Sequence, residues 1–305
     1  LNNLSSKIKE ICKCFGFIKT GFSETKVLIE ESAFLKEWLA FKKNADMNWI
    51  NKSYEKRINP SFFGKEFVSV ISLAYLYNTP YKQISETKIS RYAWNAGDYH
   101  SIISKKLNNV CCEIEKLDAE IKTLYFIDDA PFMDKVWAKK SGIGWQGKNT
   151  IVINKKFGSF FFIGNILINK KLDYDKPVEN LCGKCRKCIE ACPTGALYDD
   201  YKLDANLCIA YHTIENQKII PRNVNLNGWI FGCDICQEVC PYNKTEIFTD
   251  DENFFPDERI YGKSISELEN ITEKKFDSIF KNSPIKRLGY KAWLRNIKLN
   301  KILKK

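Results

Sequence analysis

Leu4, Ile8, Ile11 and Phe15 recur at the spacing of one helical face, and Gly16 follows as a stop, so the chain opens on an amphipathic helix. Phe34, Trp38 and Phe41 mark a second helical stretch before Asn59-Pro60 breaks the chain. Phe67 to Tyr77 is dense in Val, Ile, Leu and Tyr and reads as a buried strand. Asp98 to Leu117 returns to helix, with Ile102, Leu107, Val110 and Ile114 on its core side. Thr123 to Asp128 is a short strand ending at two carboxylates. Pro131 to Lys140 is a helix with proline near its start, closed by Ser141-Gly142-Ile143-Gly144. Thr150 to Asn154 and Ser159 to Asn169 read as a β-hairpin around Gly158.

Strands alternating with helices predict an α/β or α+β domain over residues 1–175, and the chain as a whole reads as α+β. A Cys-rich segment, 176–245, follows, and 246–305 is helical and ends basic. No repeat is visible apart from two half-motifs within the Cys-rich segment.

The 305 residues are 44% hydrophobic and 13% aromatic, enough to bury a core and unlike a disordered composition. No apolar run reaches the roughly 18 residues of a membrane span. Leu1 to Lys7 has neither an apolar signal core nor a twin-Arg pair, so a cytoplasmic protein is expected, its start trimmed because it lacks Met. A monomer is expected. Lys and Arg number 48 against 37 Asp and Glu. A Lys-, Asn- and Ile-rich codon bias explains such an excess as readily as a polyanionic partner does. Its distribution is more telling: Lys281 to Lys305 holds nine Lys or Arg and no Asp or Glu. Such a block is either a polyanion contact or a solvated basic helix.

Twelve Cys is high for a cytoplasmic chain, and their spacing points to metal rather than disulfides. Cys182-x2-Cys185-x2-Cys188-x3-Cys192-Pro193 is the bacterial ferredoxin run. In that run three soft thiolates wrap one [4Fe–4S] cube, and the fourth, before proline, serves the neighbouring cube. Cys208 with Cys233-x2-Cys236-x3-Cys240-Pro241 repeats the logic with its first Cys displaced upstream. Cross-ligation predicts one [4Fe–4S] cluster on Cys182, Cys185, Cys188 and Cys240, and a second on Cys192, Cys208, Cys233 and Cys236. Zinc, the alternative, favours paired C-x2-C units. Cys12, Cys14, Cys111 and Cys112 lack the spacing and read as free thiols. Two fully ligated cubes move single electrons, so the bond chemistry belongs to the N-terminal domain.

That domain offers three candidates. Gly142-x-Gly144-x-x-Gly147 has the letters of a dinucleotide fingerprint but follows a helix, which excludes that reading. It is either a turn that lets backbone approach a large cofactor or a tight turn at positive φ with no ligand. Asp98-Tyr99-His100 begins like a cobalamin-ligating D-x-H-x-x-G but lacks the glycine, so His100 reads as a helix-surface or core residue. Asp128 and Asp129 stand at a strand end, where carboxylates often line pockets. Asp129 suits a helix cap, which leaves Asp128 as the candidate acid. An acid working near neutral pH needs burial beside apolar groups, and Trp137 and Trp145 are the expected wall.

Ile127-Asp128-Asp129-Ala130-Pro131 with Ala138 to Asn149 resembles the segment around the proton donor of epoxyqueuosine reductases. So do Met47-Asn48-Trp49, Lys56 to Pro60, Ser90 to Ala93 with Asp98 to His100, Cys208 to Glu215 and Phe231 to Pro241. The resemblance covers nearly the whole chain. It implies cobalamin held base-off without a His ligand in an N-terminal cobalamin-binding catalytic domain, followed by a ferredoxin-like two-cluster domain. It implies reduction of epoxyqueuosine to queuosine at a tRNA wobble position, with the clusters reducing the corrin to cob(I)alamin and Asp128 donating the proton. Arg57, Arg91, Asp128, Val152, Ile163, Cys233 and Asp234 fall in segments that match cobalamin contacts, Val152 and Ile163 through backbone. Many family members add a C-terminal helical-repeat domain that helps bind tRNA, and this chain resembles the short form without it. The expected partners are then tRNA, met by Lys286, Arg287, Lys291, Arg295 and Lys298, and an unidentified electron donor. A cobalamin-dependent reductive dehalogenase and an electron carrier without its own substrate are the competing readings.

Overall fold

The computed structural model describes residues 2–95 and 97–302; Leu1 and the last two lysines of the basic block, Lys304 and Lys305, lie outside it. Four strands, β1 (Lys19–Glu24), β2 (Ser69–Leu76), β3 (Thr123–Phe126) and β4 (Phe161–Ile168), form the central sheet in the order β1-β2-β4-β3. Every pairing in it is antiparallel, so of the two architectures left open the α+β one holds. All of β2 is buried and β4 nearly so, which accounts for their continuous apolar sequences.

Helices α1 (Asn2–Cys14) and α2 (Tyr99–Glu115) bury Ile8, Cys12, Ile103, Leu107, Val110 and Ile114 against one sheet face. Asp98 caps α2 by accepting the His100 N–H at 2.9 Å. The short helix α3 (Asp134–Lys140) closes the other face with Trp137 and Ala138. The helix 29–40 forms but buries none of its residues; Phe34 and Phe41 are exposed.

Two expectations need correction. The hairpin around Gly158 does not form, because β4 gives both its edges to β2 and β3. Val152–Ile153 pairs with Trp145–Gln146 instead, and only an isolated bridge, Asn154 to Gly158, remains. The helix expected from Pro131 begins at Asp134, with Pro131 to Met133 forming its approach. Strand β1 has no counterpart among the expected elements, because its Lys-Thr-Gly-Phe-Ser-Glu composition carries no strand signal. Gly21 is needed there, since a Cβ would run into the Ser141 carbonyl.

The three stretches of chain share cores rather than keeping separate ones. Helix α4 (Tyr290–Ile302) and the two helices before it pack Phe276, Phe280, Trp293 and Ile297 against Ile89 and Trp94 of the N-terminal part and Ile230 and Phe231 of the Cys-rich part. Asn296 and Asn300, one turn apart on α4, donate to the carbonyls of Ile230 and Trp229 at 2.9 and 3.0 Å. No helix among the described residues is long and apolar enough to cross a membrane.

Candidate active site

A half-open cavity of about 510 Å³ lies between the end of β3, the start of α3, strand β4 and the Ile214–Glu215 turn. Its apolar wall includes Ile127, Phe132, Val152, Phe161, Phe162 and Ile163; its polar groups include Arg57, Asp128, Asp134, Ser159, Glu215 and Arg287. This balance is that of a small-molecule site.

Asp128 sits at φ +53, the left-handed region that few residues with a Cβ adopt. Backbone in this region is strained, and such strain collects at working sites. Tyr99 Oη donates to Asp128 Oδ2 at 2.5 Å. Tyr99 is itself fixed, stacked on Phe162 of β4 with centroids 4.4 Å apart and met edge-on by Tyr92. Burial pushes the Tyr99 phenol far up, and the Asp128 charge adds to this, so it stays a donor. His100 stacks on Tyr99, hydrogen-bonds Asp98 at 2.8 Å and leaves Nε2 3.9 Å from Asp128 Oδ2.

The buried acid expected at Asp128 is not what the fold provides. Its side chain is 69% exposed, because β3 is an edge strand and the turn carries Asp128 out to the cavity mouth. Trp137 stacks on Phe132 below α3, and Trp145 donates its indole N–H to Cys182 Sγ at 3.4 Å, so neither forms a wall for it. Asp129 caps nothing; Met133 precedes α3 without a side-chain cap. A half-buried carboxyl of the cavity is Asp134, which accepts from Asn165 Nδ2 at 2.7 Å. Burial and then the Asp128 charge push it up to about 7.

Of the residues expected to touch a cofactor, Arg57, Asp128, Val152 and Ile163 line the cavity, while Arg91, Cys233 and Asp234 stand outside its wall. Arg91 is a clamp. Its guanidinium donates to the Thr79 and Tyr81 carbonyls at 3.0 and 3.1 Å and stacks on Trp94 and Phe160. Its backbone N–H donates to Asp234 Oδ2 at 2.6 Å, joining the Cys-rich segment to the N-terminal part. Burial raises Asp234 to about 6. The glycine turn serves packing: at Gly142 a Cβ would meet the Lys176 carbonyl, and at Gly144 the Ile153 carbonyl. Sequence reasoning missed Tyr99, Asp134 and Glu215. Asp134 left one trace, a lone carboxylate after the apolar Phe132-Met133 pair.

The eight ligand candidates fall into two groups. Burial, then the neighbouring Cys182 and, more weakly, Cys240, raises Cys188; burial and then Cys182 and Cys185 raise Cys240. Burial with Cys192 raises Cys208, and Cys208 and Cys192 both add to the rise at Cys233. Cys236 is raised by burial, Cys233 and Cys208 in that order. Cys188 and Cys240 thus stand near Cys182, and Cys208 and Cys233 near Cys192, while Cys236 also feels Cys188 more weakly. The second set adjoins the cavity: wall residue Ser159 donates to Gln237 at 2.9 Å, and Asn149 donates to the Cys236 carbonyl at 3.1 Å.

Residues 181–243 match the 4Fe-4S double cluster binding domain, and residues 57–129 match the epoxyqueuosine reductase QueG family. An epoxyqueuosine reductase of Atelocyanobacterium thalassa is 39% identical over 98% of this chain and 99% of its own length. The chain belongs to the epoxyqueuosine reductase family. The Escherichia coli epoxyqueuosine reductase is 34% identical over 97% of this chain and 80% of its own. Among solved structures, an epoxyqueuosine reductase with an epoxyqueuosine-modified tRNA-Tyr stem loop superposes with a TM-score of 0.88 at 26% identity, over 98% of this chain and 81% of that one. The Bacillus subtilis family member with its catalytic aspartate loop swung out of the active site also gives 0.88, at 25% identity over 98% and 81%. The fold is theirs, and the chain is an iron–sulfur oxidoreductase of that family.

Proposed function

We infer that the chain reduces epoxyqueuosine to queuosine at the wobble position of a tRNA, with the cavity beside Asp128 as its reaction site. One observation carries the assignment of the site: a left-handed carboxylate bonded to Tyr99 faces a cavity whose wall, at Ser159, is hydrogen-bonded to the segment holding Cys236. This supports a reading in which proton donor and electron source serve one place.

The residues fit a corrin. The apolar face of Val152, Phe161, Phe162 and Ile163 is broad, and Arg57 offers a cation at its side. Val152, Ile163 and Arg57 would hold cobalamin there, and bound cobalamin would supply a cobalt centre able to take electrons from the clusters. Asp128 holds a proton at Oδ1 or Oδ2 and delivers it to the epoxide oxygen; Tyr99 orients the carboxyl. The two clusters rest on Cys182, Cys185, Cys188 and Cys240, and on Cys192, Cys208, Cys233 and Cys236. A substrate within tRNA points to the cytoplasm as the working compartment.

The test is anaerobic turnover of an epoxyqueuosine-bearing stem loop by the reconstituted protein with a chemical reductant, the nucleosides analysed by mass spectrometry. Queuosine should form, and Asp128→Asn should lower turnover by about 10²–10⁴-fold with both clusters retained. Full turnover in that variant would move the acid elsewhere; a cobalamin spectrum unchanged by the protein would remove the reaction centre.

A further inference from the structure

Converting an epoxide to an alkene breaks both C–O bonds, takes up two electrons and two protons, and releases one water. The clusters supply the electrons, but one carboxyl carries only one proton, so Asp128 accounts for half of the demand. Two other carboxyls line the cavity, Asp134 and Glu215. Glu215 is raised by burial, which the paired Arg287 guanidinium opposes, so a cation stands ready to hold its charge. Asp134 has no Lys or Arg within ion-pair distance among the described residues. Its side chain is held instead by the neutral amide of Asn165, whose Nδ2 fixes Oδ1 by donation.

That donation is enforced from behind. Ser72 lies opposite Asn165 across β2 and β4, and its hydroxyl donates to Asn165 Oδ1 at 2.6 Å. The amide is thereby turned so that its N–H2 faces Asp134. Ser141 supports Ser72 at 3.1 Å. All of Ser72, Asn165 and Ser141 are buried. A polar chain through the sheet fixes one oxygen of Asp134; the Asn165 donation by itself favours the charged form, and burial and the neighbouring Asp128 outweigh it. The charged groups acting on Asp134 are Asp128 and Asp129 from the β3 turn and Arg57 from the helix 54–58. Two of the three are anions, and burial works in the same direction.

We propose that Asp134 is the proton reserve of the cavity, reloading Asp128 between the two protonations of one turnover. Asp128 gives its first proton to the epoxide oxygen, receives the proton of Asp134, and gives it to the departing hydroxyl, which leaves as water. Asp134 regains a proton from solvent after the product departs. Asp134 acts through Asp128 and does not touch substrate. The inference rests on the site assigned above.

The experiment compares wild type, Asp134→Asn, Asp134→Glu and Asp128→Asn as holoenzymes with clusters and cobalamin loaded. Asp134→Asn is isosteric and still accepts from Asn165, but holds no acid proton. At pH 7 its kcat should fall about 10- to 100-fold. The alkaline limb of the kcat–pH profile should vanish, and added formic acid buffer should raise the rate with concentration; Asp134→Glu should keep the limb. Independently, difference infrared spectra of substrate-free protein should show a protonated carboxyl at pH 6 that Asp134→Asn removes. Wild-type rate and pH profile in Asp134→Asn, or no such carboxyl band, overturns the proposal. If Asp128→Asn alone loses turnover, the site stands and the reserve falls; if neither variant loses it, the site assignment itself is wrong. Should Asp134→Asn not fold, Asp134→Glu and the infrared band of wild type still decide.

Discussion

Tyr99 and Asp128 come from different elements, α2 and the end of β3, and meet at 2.5 Å between phenol and carboxylate. A hydrogen bond to an ionised group contributes roughly 1.5–3 kcal/mol, and here it holds a carboxyl whose backbone lies in the left-handed region. Tyr99→Phe keeps the ring that stacks on Phe162 and deletes only the donor. The expected result is a loss of about 10- to 100-fold in kcat with KM for the stem loop and the cluster spectrum little changed. Unchanged kcat would show that Asp128 is positioned without Tyr99.

The cross-ligated cluster arrangement predicts which Cys variants behave alike. Cys240 neighbours Cys182 and Cys185 although it closes the second motif in sequence. Cys240→Ser and Cys182→Ser should therefore lose the same electron paramagnetic resonance signal, and Cys192→Ser and Cys233→Ser the other. Iron should drop from about eight to about four per chain in each. Cys240→Ser pairing with Cys236→Ser would instead mean one cluster per sequence motif.

The double-cluster character of the Cys-rich segment was legible because thiolate spacing is local: Cys182, Cys185 and Cys188 are spaced for one cube and Cys192 for its neighbour whatever the rest of the fold does. The buried strand at β2 was legible for the related reason that eight enclosed residues leave an unbroken apolar run. The environment of Asp128 was not. Whether a carboxylate after a strand is buried depends on whether that strand lies inside the sheet or at its edge, and the β1-β2-β4-β3 order is a long-range outcome. Asp134 was hidden likewise: its partner Asn165 lies 31 residues away and is oriented by Ser72 across the sheet. The expected hairpin failed through competition, since two more distant strands took the edges of β4.

Asp134 also carries a stability prediction. Its carboxyl titrates near 7 in the folded protein against 3.8 ordinarily. Between about pH 4 and 7 the folded state therefore holds a proton that the unfolded state has released, so stability falls as pH rises through that window. Below it both states are protonated and above it neither is, so the full penalty is present above pH 7. Asp134→Asn removes this slope. Relative to wild type, the variant should gain in Tm from pH 5.5 to pH 8. An equal Tm difference at both pH values would mean that Asp134 titrates normally.

The basic block divides into residues built into the fold and residues left free to meet a polyanion. Arg295 donates to the carbonyls of His212 and Asn216 at 2.9 and 2.7 Å and also to that of Lys218. Lys286 pairs with Asp277, and Lys301 pairs with Glu269 at 2.5 Å. Lys291 and Lys298 are exposed on α4, and Arg287 is 65% exposed at the cavity mouth despite its pairing with Glu215. Replacing Arg295 by Ala should lower Tm, because all of these carbonyls lose their donor. Replacing Lys291 and Lys298 together by Glu should leave Tm within a few degrees but weaken stem-loop binding. It should also flatten the plot of log affinity against log salt by about 0.7–0.9 for each phosphate that is no longer neutralised. A salt slope identical to wild type in that double variant would take this face of α4 out of the tRNA interface and leave Arg287, at the mouth of the cavity, as the cation that meets the backbone.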